Sequence, residues 1–459
     1  MSEDPDGFDE IVARERGLSH SLSARRMTMI AIGGAIGTGL FLGSGFAIGI
    51  AGPAVLVSYA IGALISLLLM GCLAEMTVAH PTSGSFGAYA EYYLGPLAGF
   101  LVRYSYWTCI VLAVGTEVTA VAQYMRFWFP ALPGWVSIVG FAGALILVNA
   151  RSVNLFGAVE YWLSAVKVAA IVVFIALAGY VIWRAPFGAA APGFHHYVDH
   201  GGFFPHGLWG AWSAVIVAIF SYLSIEMIAV AAGEAAEPRV AVARAFRATV
   251  ARLIMFYLVT LALVLAIVPW TAAGTDESPF VKVLRTLAIP RAPGIFNGVI
   301  LIAALSAMNS QLYITTRMLF SLARAGDAPP SLGLLSERGV PVRALLLSSG
   351  GIAIAVLLSV LAPNSAFILM VSISAFGAMF TWMMIFVTHY RFRRSRADAR
   401  SSGLRMIGFP FTTLLGAALM AAALVTTAFT QAFRMTLAFG LPFLIALTLV
   451  YRYRRGGIR

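Results

Sequence analysis

Charge is what this chain most lacks. Only 11% of its 459 residues are charged, against about 25% in soluble globular proteins. Hydrophobic residues reach 60%, which leaves too little polar material to cover a water-facing surface and marks a polytopic membrane protein. Cysteine is scarce too: Cys72 and Cys109 both sit in apolar runs, which excludes a disulfide framework and a cysteine-based metal centre. There is no Asn-X-Ser/Thr acceptor, and only two of the 31 basic residues are lysine. Both features point toward a bacterial inner membrane. No aspartate lies within an apolar run, and His389 is the one histidine well inside one. An intramembrane enzyme would therefore lack a catalytic pair, so neither an enzyme nor a cofactor is expected.

The apolar material falls into runs at about 27–50, 53–79, 95–125, 134–150, 155–183, 207–232, 247–270, 294–323, 341–361, 366–390, 408–429 and 433–452. A helix needs about 20 residues to cross hydrocarbon, so twelve transmembrane helices are expected. Membrane β-barrels alternate polar and apolar residues; these runs are apolar all round, and the fold class is all-α. The formal charge of +12 does not indicate nucleic acid, because its distribution follows the membrane. With the N-terminus in the cytoplasm and sides alternating, 21 of the 31 basic residues fall inside, 6 outside and 4 within spans. That is the positive-inside pattern, and it puts both termini in the cytoplasm; membrane lipid surrounds the spans, and anionic lipid as a dedicated partner of the basic clusters is the disfavoured reading. The arm at 1–26, with Glu3, Asp4, Asp6, Asp9 and Glu10, does not read as a signal peptide, since no short apolar core follows a basic start.

Against this apolar background the first run is unusual: Ile30 to Gly45 holds six glycines in sixteen uncharged residues. Each glycine weakens a helix by about 0.8–1 kcal/mol relative to alanine, and freed backbone groups are costly in hydrocarbon. Two readings compete. Gly33/Gly37, Gly39/Gly43 and Gly45/Gly49 are small-xxx-small pairs suited to helix packing. Alternatively the helix breaks near Ile36, Gly37, Thr38 and Gly39, and the amides opening the next half-helix hold an anion. A nucleotide loop is disfavoured, because no strand precedes the glycines. Five spans later, Phe220-Ser221-Tyr222-Leu223-Ser224-Ile225-Glu226 stands where an inverted repeat would place a second break.

The stretch Ile32 to Gly45, with Glu75-Met76, His80 to Phe86 and Tyr93 to Phe100, resembles the bacterial amino-acid permeases of the amino acid–polyamine–organocation superfamily. The likeness continues through Gly233-Glu234-Ala235, Ser278-Pro279-Phe280, Asn309-Ser310, Arg317-Met318-Leu319 and Gly326 to Pro329, covering roughly 17–395. The resemblance implies a LeuT-like 5+5 inverted repeat with helices 1 and 6 broken. The repeats would occupy 27–183 and 207–390, followed by two extra helices over 408–452 and a tail at 453–459. It also implies import of an amino acid with a proton. The family usually carries two glycines where this chain has Leu223-Ser224.

Ionisable residues within spans are functional candidates by default. Glu117 and Glu226 are assigned to the substrate pocket, with Phe220 or Tyr222 as a lid and Ser224 beside the break. Lys167 lies near the middle of the fifth run, and the resemblance implies that it occupies the place where sodium-coupled relatives bind Na⁺. It is expected to couple proton movement, with Ser306, Asn309 and Ser310 as neighbours; a structural ion pair with Glu117 or Glu226 is the alternative. Glu75 and Glu160 fall near span ends and are expected to be solvated and structural, while Arg252 and Arg317 are expected to snorkel to the surface. His195, His196, His200 and His206 crowd one external loop; exposed loops commonly hold such residues, and no metal is expected. The reading is a transporter of a neutral L-amino acid, with an exchanger or a transport-inactive sensor as alternatives.

Overall fold

The structure, a computed structural model, describes residues 6–14, 17–18, 29, 36–184, 192–234, 242, 255–272, 277–287, 290–361, 365–395 and 404–456. It is helical, with no strand among the described residues. Nine helical segments there are long and apolar enough to cross a membrane, and Met255–Ile267 and Val342–Leu358 are shorter apolar helices. One of the nine, Gly39–Ala79, has 41 residues, about 60 Å of helix at 1.5 Å per residue. That is twice the hydrocarbon thickness of about 30 Å, so it cannot be one crossing. The chain turns at Gly52, whose φ of 62° suits glycine, and a Cβ there would lie 2.3 Å from Pro205 Cγ. This divides the segment into α2 (Ser44–Ala51), entered through a wide helical turn over Gly39–Gly43, and α3 (Val55–Ala79).

A short helix, α1 (Asp6–Arg14), precedes the first span. It buries Phe8 and Ile11, and Arg14 Nη2 lies 2.7 Å from Glu91 Oε1 on α4 (Ser85–Leu94). Glu91 Oε2 takes Arg103 Nη1, also at 2.7 Å. Helix α5 (Pro96–Met125) starts on a glycine–proline pair: Gly95 turns at φ 106°, and Pro96 needs no partner for a missing N–H at the first helical position. After α6 (Gly134–Arg151) and α7 (Val153–Arg184) come α8 (Gly207–Ser213), α9 (Val215–Tyr222) and α10 (Met227–Ala231). Beyond these lie α11 (Met255–Ile267), α12 (Pro279–Thr286) and α13 (Ala292–Arg324). The chain closes with α14 (Val342–Ser348), α15 (Gly350–Leu361), α16 (Ala366–Arg394), α17 (Phe411–Phe429) and α18 (Arg434–Gly456). Helix α5 is central, packing on α13, α16, α15 and α4.

Three expectations are corrected by this packing. Glu75 and Glu160 are not solvated: both are 0% exposed. Glu75 is enclosed by Arg393 Nη1 at 2.7 Å, His389 Nε2 at 3.1 Å and the Met406 amide at 2.8 Å. Arg317 does not snorkel either. It is buried, its Nε 2.7 Å from Glu234 Oε1, and its guanidinium lies 3.9 Å from the Tyr313 ring centroid. Position along a span does not decide solvation when neighbouring helices cover it. Finally, Gly43 and Gly49 are not tight packing contacts: a Cβ at Gly43 would meet its nearest atom at 3.6 Å, and one at Gly49 would meet nothing within 4 Å. Gly33, Gly34 and Arg252 lie outside the described residues.

Candidate functional site

Two interruptions meet near the middle of the protein. In the first span Ile36 and Gly37 form a bend, and helix starts at Thr38. In the sixth, α9 ends at Tyr222, Leu223 is extended (φ −58°, ψ 149°), and Ser224 takes a left-handed φ of 78°. Ser224 therefore adopts, without being glycine, the conformation that glycine supplies most easily. Glu226 bridges this turn: its Oε1 accepts the Ser224 amide at 3.2 Å and the Tyr106 hydroxyl at 2.5 Å. It holds the break open and does not line the cavity described below.

The two breaks are joined by Ser221, whose hydroxyl donates to the Gly39 carbonyl at 2.9 Å. Close approach requires glycine here, since a Cβ on Gly39 would lie 2.7 Å from Ser221 Cα. Tyr59 Oη lies 2.9 Å from Ser221 Oγ, and the Tyr257 hydroxyl donates to the Ser221 carbonyl at 2.7 Å. Tyr222 stacks on Tyr257 with ring centroids 4.7 Å apart and is buried in this tyrosine cluster, so Phe220, not Tyr222, faces the cavity.

That cavity is lined by Gly37, Gly39, Glu117, Phe220, Ser221, Leu223 and Gln311 and measures about 10 Å³, room for roughly one water. The freed backbone groups of the first break are held by ionisable side chains. Glu117 Oε2 on α5 accepts the Thr38 amide at 3.3 Å, and Lys167 Nζ on α7 donates to the Ile36 carbonyl at 2.9 Å. A Cβ on Gly37 would approach Glu117 Oε1 and Ala307 Cβ to 2.7 Å each.

Lys167 is fully buried, and its charged neighbours are Glu160 first and Glu117 second. Glu160, Ser164 and Lys167 recur at i, i+4 and i+7 on α7 and so share one helix face. Glu160 accepts the hydroxyls of Ser306 and of Ser164 (the latter at 3.0 Å) and the Asn309 amide at 2.9 Å. Ser306 and Asn309 thus adjoin Lys167 through Glu160, the group that position along the span made look peripheral. Asn309 Oδ1 also takes the Asn149 amide at 2.8 Å. Ser221, Gln311, Tyr59 and Tyr257 were not singled out either; the polar stripe of α7 could have revealed Glu160, whereas no local signal marks the tyrosines.

A larger groove of about 640 Å³ runs between α3 and α11, lined by Leu56, Val57, Ala60, Ile61, Leu64, Leu258, Val259 and Ala262. It lies on the exposed flank of these helices, where Leu64 is 41% accessible, and offers a zwitterion no side-chain polar group. The site with suitable chemistry is the small cavity between the breaks.

Comparison with known proteins identifies the family. The family model described as amino acid permease matches residues 26–453. An amino acid permease of Bacillus subtilis, YtnA, is 38% identical over 442 residues, covering 95% of this chain and 96% of that protein. The gamma-aminobutyric acid permease of the same organism is 38% identical over 422 residues, 92% of this chain and 90% of its own length. The aromatic amino acid transport protein AroP of Escherichia coli is 39% identical over 381 residues, 83% of each chain. With its apolar helices and a match spanning nearly its whole length, this chain belongs to the amino acid permease family of integral membrane transport proteins.

Proposed function

We propose that the protein imports a neutral L-amino acid together with a proton, by alternating access around the paired breaks, across a bacterial cytoplasmic membrane. In this reading two inverted five-helix repeats, 27–183 and 207–390, are followed by two further helices over 408–452, and both termini are cytoplasmic. Twelve crossings are supported by counting the bent Gly39–Ala79 segment as two and adding the two shorter helices to the remaining eight. The observation that carries the function is the pair of charged groups on the first break: a carboxylate on the Thr38 amide and an ammonium on the Ile36 carbonyl.

A substrate carboxylate needs the same amide that Glu117 occupies, so binding displaces one carboxylate with another and opens the cavity. Phe220 and Gln311 bound that space, and no lysine, arginine or histidine lines it, which leaves no complementary charge for an anionic substrate side chain. The relatives named for gamma-aminobutyric acid and for aromatic amino acids transport compounds without a charged side chain, which supports a neutral substrate. Lys167 then acts as the coupling group, in exchange with Glu160. Charge-assisted hydrogen bonds are roughly twice as strong as neutral ones; when the ammonium loses its proton, its hold on Ile36 weakens and the break is free to move.

Lys167→Ala in proteoliposomes tests this. Amino-acid binding should survive while uptake driven by an imposed pH gradient is lost, and Glu160→Gln should blunt the gradient response and shift its pH profile. Normal gradient-driven uptake by Lys167→Ala rules the coupling role out. Sodium-dependent uptake by the wild type would count independently against a lysine in the cation position.

A further inference from the structure

Residues 192–206, which precede α8, are tied down by hydrogen bonds. A turn of 3-10 helix, Phe194–Tyr197, is fastened to α11 by the Gly193 amide on the Ala266 carbonyl at 2.7 Å and by the Tyr197 hydroxyl on the Ala262 carbonyl at 2.6 Å. The Trp270 indole donates to the His200 carbonyl at 3.0 Å. On this platform His195 Nε2 lies 3.6 Å from Asp199 Oδ2, and the His195 and His196 ring centroids are 4.3 Å apart. One ligand-competent atom from each of His195, His196 and Asp199 lies within 4.8 Å of the other two. His195 Nε2 and His196 Nδ1 are shielded from solvent and make no hydrogen bond. The His196 ring also engages the Ala266 carbonyl, the kind of outer contact that fixes a ligating imidazole.

We propose that His195, His196 and Asp199 form a site for a divalent transition metal of the zinc(II) class. Two imidazoles and a carboxylate suit zinc, with water completing the shell; magnesium and calcium prefer oxygen-only shells of six or more. Zinc–nitrogen bonds of about 2.0–2.1 Å separate tetrahedral ligand atoms by roughly 3.3 Å. The His195–Asp199 pair, at 3.6 Å, is already near that spacing, and no pair of ligand atoms is further apart than 4.8 Å. A bound ion would lock the turn against α11. Any consequence for transport rests on the transporter reading, but metal binding does not.

The test uses the full-length protein, purified without a polyhistidine tag and titrated with zinc chloride by isothermal calorimetry. One equivalent should bind, and His196→Ala and Asp199→Ala should each weaken binding by more than about tenfold, the upper loss being larger than that of an outer-shell partner. His200→Ala, outside the cluster, should bind as the wild type does. Zinc should raise the melting temperature of the wild type and not of His196→Ala. Absence of a one-equivalent site, or equal affinity in wild type, His196→Ala and Asp199→Ala, overturns the assignment. Failure of amino-acid uptake would instead sink the transporter reading and leave the zinc titration intact.

Discussion

A single methyl group at Gly37 measures whether the first break is where substrate binds. The Cβ of Gly37→Ala would lie 2.7 Å from both Ala307 Cβ and Glu117 Oε1, whereas comfortable contacts are about 3.5–4.0 Å. Ala307 belongs to the long helix α13, so the carboxylate end of Glu117 must give way by close to 1 Å. Its bond to the Thr38 amide, already 3.3 Å, would break or reorient. Overpacking of this size costs about 1–3 kcal/mol. If a bound carboxylate is crowded by the added methyl by that much more than Glu117 is in the free state, the cost appears in affinity as a loss of about 5- to 140-fold, at 1.4 kcal/mol per decade. Valine, larger and β-branched, should abolish binding. The assay is saturation binding of the neutral amino acid that the wild type prefers in a twenty-amino-acid competition panel. Gly49→Ala serves as control, because a Cβ there meets nothing within 4 Å. A folded Gly37→Ala protein with affinity within about twofold of wild type would refute the assignment of the break as the binding site.

Three further outcomes are expected. Ser224 holds φ at 78°, so Ser224→Val, β-branched in a left-handed position, should lose about 1–3 kcal/mol and melt earlier, while Ser224→Gly is accepted; equal melting of the two would show that the turn does not need this geometry. Arg317→Ala strands the buried Glu234 carboxylate and should cost about 3–5 kcal/mol, much of it recovered in Arg317→Ala/Glu234→Ala. A single mutant as stable as wild type would contradict the ion-pair argument. Reporter fusions after Arg184 and after Arg394 should report opposite sides, outside and inside; the same side for both would defeat the inverted-repeat proposal.

Much of the architecture is legible in one dimension because hydrocarbon imposes a simple rule. Each apolar run expected to cross contains helix where it is described, and the bend at Ile36–Gly37 lies within the glycine-rich stretch. The break of the sixth span was harder to read. Leu223 and Ser224 are not glycines, and only the neighbouring Glu226 carboxylate and Tyr106 hydroxyl reveal how the turn is held. The solvation of Glu75, Glu160 and Arg317, all buried, differs from expectation for one physical reason: distance from a span end says nothing about which helices cover that end.

The membrane class, the helical runs and the glycine-rich stretch that bends at Ile36–Gly37 follow from the sequence alone, because composition, run length and local glycine content act through nearest neighbours along the chain. Only the tertiary structure decided which charges meet that break. Glu117 reaches Thr38 across 79 residues and Lys167 reaches Ile36 across 131, and Glu160 joins them through Ser306 and Asn309 on α13, about 150 residues away. Such meetings depend on how helices cross and which face each turns inward. When whole spans are apolar all round, periodicity carries almost no information about facing, and the packed bundle alone supplies it.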